Sequence, residues 1–447
     1  MISKIDFSMS GNLRPQPSAT HSGGRCRFCS APLQHSVVDL GMSPLCQKHV
    51  RPEDVNKPEP FFPLHVYLCD QCWLMQLEEF ASPEEIFAED YAYFSSYSDS
   101  WLRHAQRYTS LMVERFGLGP ENLVVEIASN DGYLLQYFVE KHIPVLGVEP
   151  AGNVARAARE KGVRTEEQFF GRASAHRIAA RYGKASLLLG NNVLAHVPDI
   201  NDFVAGMKAL LDEGGVITME FPHLQRLIEG NQFDTIYHEH YSYLSFVAVH
   251  RIFAHHGLTL FDVEELPTHG GSLRIYGRHT EDEGKPVKGS VSALLEREHF
   301  LGMERLDYYA GFEEQVKAAK RELLDFLIGV KRQGKTVVGY GAPGKGNTLL
   351  NYCGIRTDFL DFTVDRNPHK QGNFLPGTRI PIYHPDAISA ARPDFVLILP
   401  WNLQKEIGRQ LAYIGEWGGR LVVPIPRVQI LEHPEQIEVV HTANPSS

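Results

Sequence analysis

The chain has 447 residues and a formal net charge of −10 at pH 7, with 43% hydrophobic and 22% charged residues. This acidic balance argues against a duplex nucleic-acid binder, which needs excess lysine and arginine, and no apolar run approaches the roughly 18 residues that span a bilayer. A chain this long is expected to form two or three domains, and without an apolar signal segment it is expected in the cytoplasm.

The first feature along the chain is two pairs of cysteines, each with two intervening residues. They are Cys26 and Cys29 in CRFC, and Cys69 and Cys72 in CDQC. This is the spacing of a zinc site built from two knuckles, and a closed shell of four thiolates leaves no open coordination position. We therefore predict one structural Zn²⁺ and a zinc-binding domain over 25–85. Four unlinked thiols are the alternative, and Cys46 and Cys353 are interpreted as small apolar residues.

A second unit starts near residue 86, and its first recognisable elements lie in NLVVEIASNDGYLLQYFVEKH, from residue 122. It has the pattern of a buried strand, a small polar turn over 128–132 and an amphipathic helix. The following IPVLGVEPAG is typical of a second strand, which ends in Glu149. Two more strands are predicted in ASLLLGNNVLAHV and GGVITMEFP, so we expect a doubly wound sheet with its ligand beyond the carboxyl ends of the strands.

The position of Glu149 predicts a nucleoside ligand, because an acidic residue there can accept both ribose hydroxyls of an adenosine. NAD and S-adenosylmethionine both fit. The turn holds one glycine, Gly132, and not the three of a dinucleotide fingerprint, which favours S-adenosylmethionine; an α/β core without a nucleotide is the remaining alternative. The predicted cofactor residues are Glu126, Ala128, Asn130, Asp131, Gly132, Glu149 and Asn191.

The stretch FDTIYHEHYSYLSF, residues 233–246, holds two histidines around Glu239. A zinc-protease helix needs its histidines four residues apart, so that function is excluded. On a strand, residues two apart share a face, and we expect His238 and His240 to point one way and Glu239 the other. The favoured interpretation is a proton-transfer cluster with one histidine as base; a buried aromatic strand without chemistry is the alternative.

A third unit opens with KTVVGYGAPGKGNTLLNYCG, which predicts a strand, a glycine-rich turn and a helix. With LDFTVDRNPHKQG, PDFVLILPWN and GGRLVVPIP it predicts a second doubly wound sheet. GYGAPGKG departs from a P-loop at Gly346, where Ser or Thr would hold magnesium, so ATP hydrolysis is not expected. The helix N-terminus and Lys345 can still bind a pyrophosphate; a glycine turn without a ligand is the alternative.

Five motifs in this order resemble the nucleotide-sugar 3-C-methyltransferases of deoxysugar biosynthesis: the cysteine pairs, VEIASNDG, YHEHYSYLS, PTHGGSLRI and VVGYGAPGKGNTLLNYCGI. The resemblance runs from about residue 25 to about residue 430. It implies methyl transfer from S-adenosylmethionine to C-3 of a nucleotide-linked 4-keto-6-deoxysugar through an enolate. Inversion at C-3 is expected when base and sulfonium lie on opposite sides of that carbon.

The resemblance also implies which residues act. His240 is the candidate base, with His238 and His196 as the alternatives. Tyr91 is the tyrosine that approaches the sugar, with Tyr93 as the alternative. The implied catalytic residues are His240, Tyr237, Glu239, His196, Tyr91 and Asn192. The implied nucleotide-binding residues are Tyr340, Gly341, Ala342, Lys345, Asn347, Asp365, Trp401 and Asn402.

The predicted fold class is therefore α/β, with a small four-cysteine zinc-binding domain followed by two doubly wound Rossmann-like domains. The predicted divisions are a mobile leader over 1–24, the zinc-binding domain over 25–85, the methyltransferase domain over 86–300, the nucleotide-sugar domain over 301–435 and a tail over 436–447. A monomer is expected. The alternatives are a methyltransferase acting on a sugar oxygen or nitrogen or on another keto metabolite, and a non-catalytic zinc-knuckle binding protein.

Overall fold

The computed structural model describes residues 23–87 and 91–431. The predicted tail and all but the last two residues of the predicted leader lie outside these ranges, so both stay predictions. Within the described ranges, no helix combines the length and the apolar character that crossing a membrane requires.

The amino-terminal part forms short antiparallel strands. They are β1 (Gly23–Arg25), β2 (Pro32–Leu33), β3 (His35–Ser43), β4 (Phe62–Leu68) and β5 (Met75–Leu77), followed by the helix α1 (Pro83–Ile86). The first cysteine pair lies in the turn between β1 and β2, and the second lies in the turn between β4 and β5. Each pair therefore occupies a hairpin turn, the arrangement of a zinc knuckle.

The middle part is a seven-stranded sheet covered by helices. Its strands are β6 (Val124–Ile127), β7 (Val145–Val148), β8 (Thr165–Glu166), β9 (Ala185–Asn191), β10 (Leu211–Pro222), β12 (Leu258–Leu266) and β13 (Ser272–His279). The short strand β11 (Ser242–Tyr243) comes from the same part of the chain but lies outside this sheet. Its helices are α2 (Asp99–Phe116), α3 (Leu135–Val139), α4 (Gly152–Glu160), α5 (Arg172–Tyr182), α6 (Ile200–Leu210), α7 (Leu224–Glu229), α8 (Phe246–His255) and α9 (Gly289–Leu301).

The strand order of this sheet is β12-β13-β10-β9-β6-β7-β8. The strands from β8 to β10 run parallel, and β13 is antiparallel to both of its neighbours. The strand order changes direction between β6 and β9, because β7 and β8 lie on one side of β6 while β9 and β10 lie on the other. A crevice for a ligand opens at such a point. β12 and β13 are strands that the sequence pattern did not predict.

The carboxy-terminal part is a second sheet of the same plan. After the long helix α10 (Phe312–Arg332) it consists of β14 (Val337–Tyr340), α11 (Gly344–Cys353), β15 (Thr363–Val364), β16 (Ile382–Tyr383), α12 (Ala387–Ala391), β17 (Phe395–Ile398), α13 (Gln404–Gln410), β18 (Arg420–Val423) and β19 (Gln429–Leu431). The order is β16-β15-β14-β17-β18-β19, parallel except for the last pair. The predicted α/β fold class is confirmed.

Burial on both faces explains why the central strands of both large sheets are continuous apolar runs. Every residue of β6, β14 and β17 is buried. Strands covered by helices on both faces lack the alternation of polar and apolar residues that one-sided sheets show. Glu126 is the one charged residue in β6. Because a charged residue is rarely buried in an apolar strand, Glu126 is a candidate for a functional role.

One strand pairs outside its own part of the chain. β11, which comes from the stretch 233–246, pairs antiparallel with β5, so that Ser242 lies opposite Gln76. The amino-terminal sheet then has the order β11-β5-β4-β3. This pairing fixes the histidine-rich stretch against the zinc-binding part, beside the carboxyl ends of the middle sheet.

Candidate active site

The four paired cysteines come together as the sequence predicted. Their sulfur atoms all lie within 4.8 Å of one another, with Cys26 Sγ 3.5 Å from Cys72 Sγ and Cys29 Sγ 3.4 Å from Cys69 Sγ. A tetrahedral zinc with Zn–S bonds of ~2.3 Å places its sulfurs about 3.8 Å apart, so the cluster fits this ion. Gln76 Nε2 donates to Cys26 Sγ at 3.2 Å and orients one ligand.

The predicted cofactor turn follows β6 and has an unusual backbone. Ala128, Asn130 and Gly132 all have positive φ, at 55°, 50° and 75°. At Gly132 a Cβ would lie only 3.0 Å from Val163 Cγ2, so glycine meets both the conformation and the close packing. The Ala128 methyl group packs against the core of the middle sheet.

Glu149, at the end of β7, closes this turn. Its carboxylate accepts hydrogen bonds from the backbone N–H of Asn130 at 3.0 Å and of Ala151 at 2.9 Å. Burial raises the pKa of Glu149 to about 7, and the two N–H donors oppose that rise. Each oxygen keeps a lone pair for a ribose hydroxyl, so the residue can both shape the turn and hold a nucleoside.

Further polar groups lie near the carboxyl ends of β6 and β9. Asp131 Oδ2 accepts from Lys161 Nζ at 2.9 Å, while its Oδ1 is buried without a hydrogen-bond partner in the described chain. Asn191 Nδ2 donates to the hydroxyl of Tyr133 at 3.4 Å, and burial raises the pKa of Glu126 well above its ordinary value. A buried acceptor without a partner and an adjacent acidic strand end fit S-adenosylmethionine, which carries hydroxyl and ammonium donors.

A stretch that we call the tyrosine segment, residues 91–97, lies over the cofactor turn. Asn130 Oδ1 accepts from the N–H of Ser95 at 2.8 Å, and Asn130 Nδ2 donates to the carbonyl of Tyr93 at 3.2 Å. On the other side, Asn367 Nδ2 donates to the carbonyl of Ala92 at 2.8 Å. The tyrosine segment therefore connects the cofactor turn with the carboxy-terminal sheet.

His240 is held in one tautomer. Its Nδ1 donates to the carbonyl of Thr235 at 2.8 Å, which leaves Nε2 without a proton. Its ring lies 4.0 Å from the ring of Tyr237 and 4.6 Å, edge to face, from that of His196, centroid to centroid. His196 follows β9, so this cluster stands at the crevice between β6 and β9.

Burial keeps both histidines neutral. It lowers the pKa of His240 well below its ordinary value and that of His196 to about 4. Both rings lie deep in the molecule, yet each keeps part of its surface accessible. Side chains that line an internal space have this combination, and a neutral imidazole there is ready to accept a proton.

His238 points elsewhere, so the expectation that His238 and His240 share a face is wrong. Residues 236–241 form a turn and not a strand, with the N–H of His240 bonded to the carbonyl of Tyr237 at 2.8 Å. His238 Nε2 lies 3.1 Å from the carbonyl of Pro63, and its ring meets Phe62 edge to face. His238 thus packs on the amino-terminal sheet, away from His196.

Glu239 joins two elements of the site. Its Oε2 accepts from the hydroxyl of Tyr91 at 3.3 Å, and its Oε1 accepts from the thiol of Cys46 at 3.4 Å. Burial raises the pKa of Glu239 to about 7, while both donors oppose the rise. Cys46 was interpreted as a small apolar residue; it is buried, but it also bonds to a predicted catalytic carboxylate.

Asn192 lies at the same crevice and has a partner that sequence reasoning missed. Its Nδ2 donates to His269 Nε2 at 3.0 Å. His269 belongs to PTHGG, has a positive φ of 53°, and has its pKa lowered by burial to about 4. A residue other than glycine in this conformation often marks a functional site. The sequence does not show the conformation, so only the structure identifies His269 in this way.

The turn after β14 repeats the pattern of the cofactor turn. Asp365, just after β15, accepts from the N–H of Ala342 at 2.7 Å and from that of Asn367 at 2.8 Å. This is the same use of an acidic residue as at Glu149. Gly341 provides the positive φ, at 90°, between strand and helix.

The other predicted nucleotide residues divide into two groups. Lys345 Nζ donates to Asn402 Oδ1 at 2.9 Å and lies 4.6 Å from the ring centroid of Trp401, so these three come together. The hydroxyl of Tyr340 instead donates to Gln410 on α13, at 2.6 Å. Asn347 is buried in α11, and its side-chain amide has no partner in the described chain.

A cleft of about 550 Å³ lies between the tyrosine segment, α2, the connection from β12 to β13 and the carboxy-terminal sheet. Among the predicted residues, Asp365 and Asn402 line it, and so does Tyr93, the alternative to Tyr91. Residues with aromatic or cationic side chains that sequence reasoning missed also line it: Trp101, His104, Arg107, His269, Arg274 and Lys370. They come from three distant parts of the chain, and no local pattern marks them.

Three family models match consecutive parts of this chain. A zinc binding domain matches residues 26–87, a methyltransferase domain matches 101–263 and a C-methyltransferase C-terminal domain matches 267–426. The C-methyltransferase NovU of Streptomyces niveus is 37% identical over 406 residues, which are 91% of this chain and 96% of NovU.

Solved structures give weaker similarities. Magnesium protoporphyrin IX methyltransferase from Synechocystis PCC 6803, with bound S-adenosylmethionine, is 15% identical with a TM-score of 0.31, over 40% of this chain and 81% of that one. The PH0226 protein from Pyrococcus horikoshii OT3 is 12% identical with a TM-score of 0.34, over 42% of this chain and 95% of that one.

Proposed function

Because the chain belongs to the family of S-adenosylmethionine-dependent C-methyltransferases, we propose that it methylates C-3 of a nucleotide-linked 4-keto-6-deoxysugar. The observation that carries this proposal is His240, a neutral histidine with a free Nε2 beside the crevice of the cofactor sheet. Loss of a proton from carbon needs such a base, whereas a neutral amine acceptor can attack with its own lone pair.

The chemistry proceeds through an enolate. A hydrogen on the carbon next to a ketone is acidic because its loss delocalises charge onto the ketone oxygen, so base and oxygen-directed donors must act together. His240 Nε2 takes the hydrogen from C-3, and general-base help of this kind is worth ~10²–10⁴ in rate. The rings of Tyr237 and His196 hold the imidazole in place.

The cofactor turn provides the other reactant. When bound, S-adenosylmethionine supplies an electrophilic methyl group. Glu149 would accept its ribose hydroxyls, and Asn130, Asp131 and Asn191 would surround the rest of the ligand. We propose that the hydrogen leaves from one side of C-3 and the methyl group arrives from the other, so that the configuration of C-3 inverts.

Glu239 and Asn192 have proposed roles beside the base. The carboxylate of Glu239 holds the hydroxyl of Tyr91 at 3.3 Å, which keeps the tyrosine segment over the sugar. Asn192, fixed by His269, contributes an amide at the edge of the same space. We propose that both orient the sugar. Alignment of the reactants supplies much of the rate enhancement that proton transfer alone does not provide.

The nucleotide is proposed to lie on the carboxy-terminal sheet. The cleft beside the tyrosine segment reaches Asp365 and Asn402, and the turn at Gly341 and Ala342 resembles the cofactor turn in its hydrogen bonds. Tyr340, Asn347 and Trp401 complete the proposed set. The division at residues 25–85, 86–300 and 301–435 and a monomeric, cytoplasmic enzyme are part of the same proposal.

The structural Zn²⁺ is separate from this chemistry. Four thiolates fill its coordination shell, so no position remains for substrate. Membership in a C-methyltransferase family contradicts a non-catalytic zinc-knuckle protein and transfer to an oxygen or nitrogen. Transfer to the carbon of another keto metabolite stays the alternative to the proposed substrate.

Incubation with S-adenosylmethionine carrying ¹³C in its methyl group tests the proposal, using dTDP-, GDP- and CDP-linked 4-keto-6-deoxysugars. The expected product has the label on C-3, read by the carbon chemical shift and by loss of the C-3 hydrogen. Label on an oxygen or a nitrogen, or no transfer to any sugar of the panel, would contradict it.

A further inference from the structure

Lys345 is placed differently from a lysine that reaches out to phosphate. It lies in the first turn of α11, deep in the molecule, with part of its surface accessible to an internal space. In the described chain its ammonium group makes one hydrogen bond, to Asn402 Oδ1 at 2.9 Å, and lies over the ring of Trp401. Two of its three N–H donors therefore remain for a ligand.

The charge of Lys345 is not neutralised by a direct ion pair among the described residues. The opposing carboxylate is Asp234, whose Oδ2 already accepts from Trp401 Nε1 at 2.7 Å. Burial lowers the pKa of Lys345 and raises that of Asp234 to about 6. A cation held in this way interacts strongly with negative charge that develops nearby.

The first turn of α11 packs directly on the segment that carries His240. Thr348 Oγ1 donates to the carbonyl of Ile236 at 2.9 Å. A Cβ on Gly344, the neighbour of Lys345, would lie 3.6 Å from Tyr237 Cζ, and the ring of Tyr237 stacks near that of His240. Glycine at 344 thus allows the helix start to approach the site closely.

The opposite side of Lys345 faces the other site residues. Trp401, under the ammonium group, packs so closely on the 268–270 turn that a Cβ on Gly270 would lie 2.6 Å from Trp401 Cη2. The neighbouring His269 bonds to Asn192. The positive charge of Lys345 contributes to lowering the pKa of both His240 and His269, which agrees with a position between them.

We infer that Lys345 donates a hydrogen bond to the C-4 oxygen of the sugar as the enolate forms, and that it does not serve the pyrophosphate. This inference rests on the proposed function. The C-3–H bond breaks and its proton goes to His240 Nε2, while the electron pair forms the C-3=C-4 bond and leaves negative charge on the C-4 oxygen. When C-3 takes the methyl group, the ketone reforms and the oxygen loses that charge, while the bond between the methyl group and the donor's sulfonium sulfur breaks and its electron pair stays on sulfur.

Phosphate has other cations within reach. Arg107, exposed at the cleft, and Lys370 line the space next to Asp365 and Asn402. Lys345 lies deep in the molecule, and a compact ammonium interacts most strongly with an oxyanion when both are withdrawn from water. The two roles predict different kinetics, since a phosphate contact acts in ground-state binding and an oxyanion contact acts in the transition state.

Two measurements on Lys345→Met and Lys345→Gln separate the roles. The first is the rate at which the C-3 hydrogen of a 4-keto sugar exchanges with D₂O, together with kcat for methyl transfer. The second is the Kd of dTDP, GDP and CDP by calorimetry. We expect exchange and kcat to fall ~10²–10³-fold with the Kd of the bound nucleotide unchanged, the size of effect seen when one oxyanion donor is removed.

Matched variants and folding checks make the outcome clear. Lys331 lies at the carboxyl end of α10 and pairs with Asp361. The Lys331→Met variant should therefore leave exchange and Kd at wild-type values. Melting temperature and zinc content identify any variant that fails to fold. If Lys345→Met fails to fold, Lys345→Gln is used in its place. A tenfold weaker nucleotide Kd with wild-type kcat would overturn the inference, as would wild-type exchange. Wild-type enzyme that neither exchanges nor methylates would instead remove the proposed function.

Discussion

Nδ1 of His240 lies 2.8 Å from the carbonyl oxygen of Thr235, five residues earlier in the chain. This one hydrogen bond fixes the tautomer, because a carbonyl only accepts, and it leaves the Nε2 lone pair free. The pKa of His240 is lowered by burial, so the ring needs no prior deprotonation at neutral pH. The base is therefore ready before the substrate binds.

The acid limb of the pH profile is expected to come from Glu239 and not from His240. Burial raises the pKa of Glu239 to about 7, so the carboxyl group binds a proton as the pH falls through 7. The Tyr91 hydroxyl then loses its charged acceptor. Glu149 has a pKa of about 7 as well, so the profile is measured with S-adenosylmethionine saturating at every pH. We predict that kcat/KM for the sugar then decreases below about pH 7 and that Glu239→Gln has low activity with no such limb. An acid limb near pH 7 that persists in Glu239→Gln would assign it to another group.

The thiol of Cys46 is expected to tune that limb. A donor to the carboxylate stabilises its charged form, so Cys46→Ala should raise the pKa of Glu239 and move the limb to higher pH by about half a pH unit to one pH unit. Cys353→Ala is the matched control, since Cys353 is also a buried free thiol but packs in an apolar core. Equal pH profiles for the Cys46 variant and wild type would show that the thiol has no such effect.

Loss of zinc should damage the active site as well as the amino-terminal part. Cys69→Ser removes one of four ligands, and structural zinc contributes on the order of 10 kcal/mol, more than a small domain can lose. β11 pairs with β5 and Cys46 bonds to Glu239, so methyl transfer should fall together with zinc content. Elemental analysis and activity are measured side by side, with Cys353→Ser as control. Full activity without bound zinc would contradict this coupling.

Glu149 should matter for cofactor affinity. Glu149→Ala removes the acceptor of two backbone N–H groups in the cofactor turn as well as the proposed ribose contact. We expect calorimetry to show at least tenfold weaker binding of S-adenosylmethionine, since hydrogen bonds to charged groups are worth about 1.5–3 kcal/mol. Glu166→Ala, at the end of the next strand, changes a carboxylate that bonds outward to Arg181 and should bind normally. Unchanged affinity in Glu149→Ala would place the cofactor elsewhere.

Local patterns predicted much of the fold. The two cysteine pairs predicted a four-sulfur cluster, because the two-residue spacing itself forms each knuckle. The run from Leu123 to Glu149 predicted a strand, turn and strand, since buried parallel strands leave a continuous apolar signature. The short strand β11 could not be predicted this way, as two residues carry no period and its partner lies more than 160 positions away.

The candidate site shows the same division. The histidine-rich stretch was recognised, but a turn placed His238 and His240 in different surroundings where a strand would have aligned them. The bond from Cys46 to Glu239 spans 193 positions, and the contact of His269 with Asn192 spans 77. Such contacts depend on how the sheets pack, which no single stretch of sequence specifies.

Exchange of the C-3 hydrogen with D₂O, followed by NMR on a nucleotide-linked 4-keto-6-deoxysugar, tests the role of His240 most directly. Wild type and His238→Asn should exchange at similar rates, because His238 packs on Pro63, whereas His240→Asn should lose ~10²–10⁴-fold while still binding S-adenosylmethionine. Near-normal exchange in His240→Asn, or loss of exchange in His238→Asn alone, would contradict the assignment of His240 as the base.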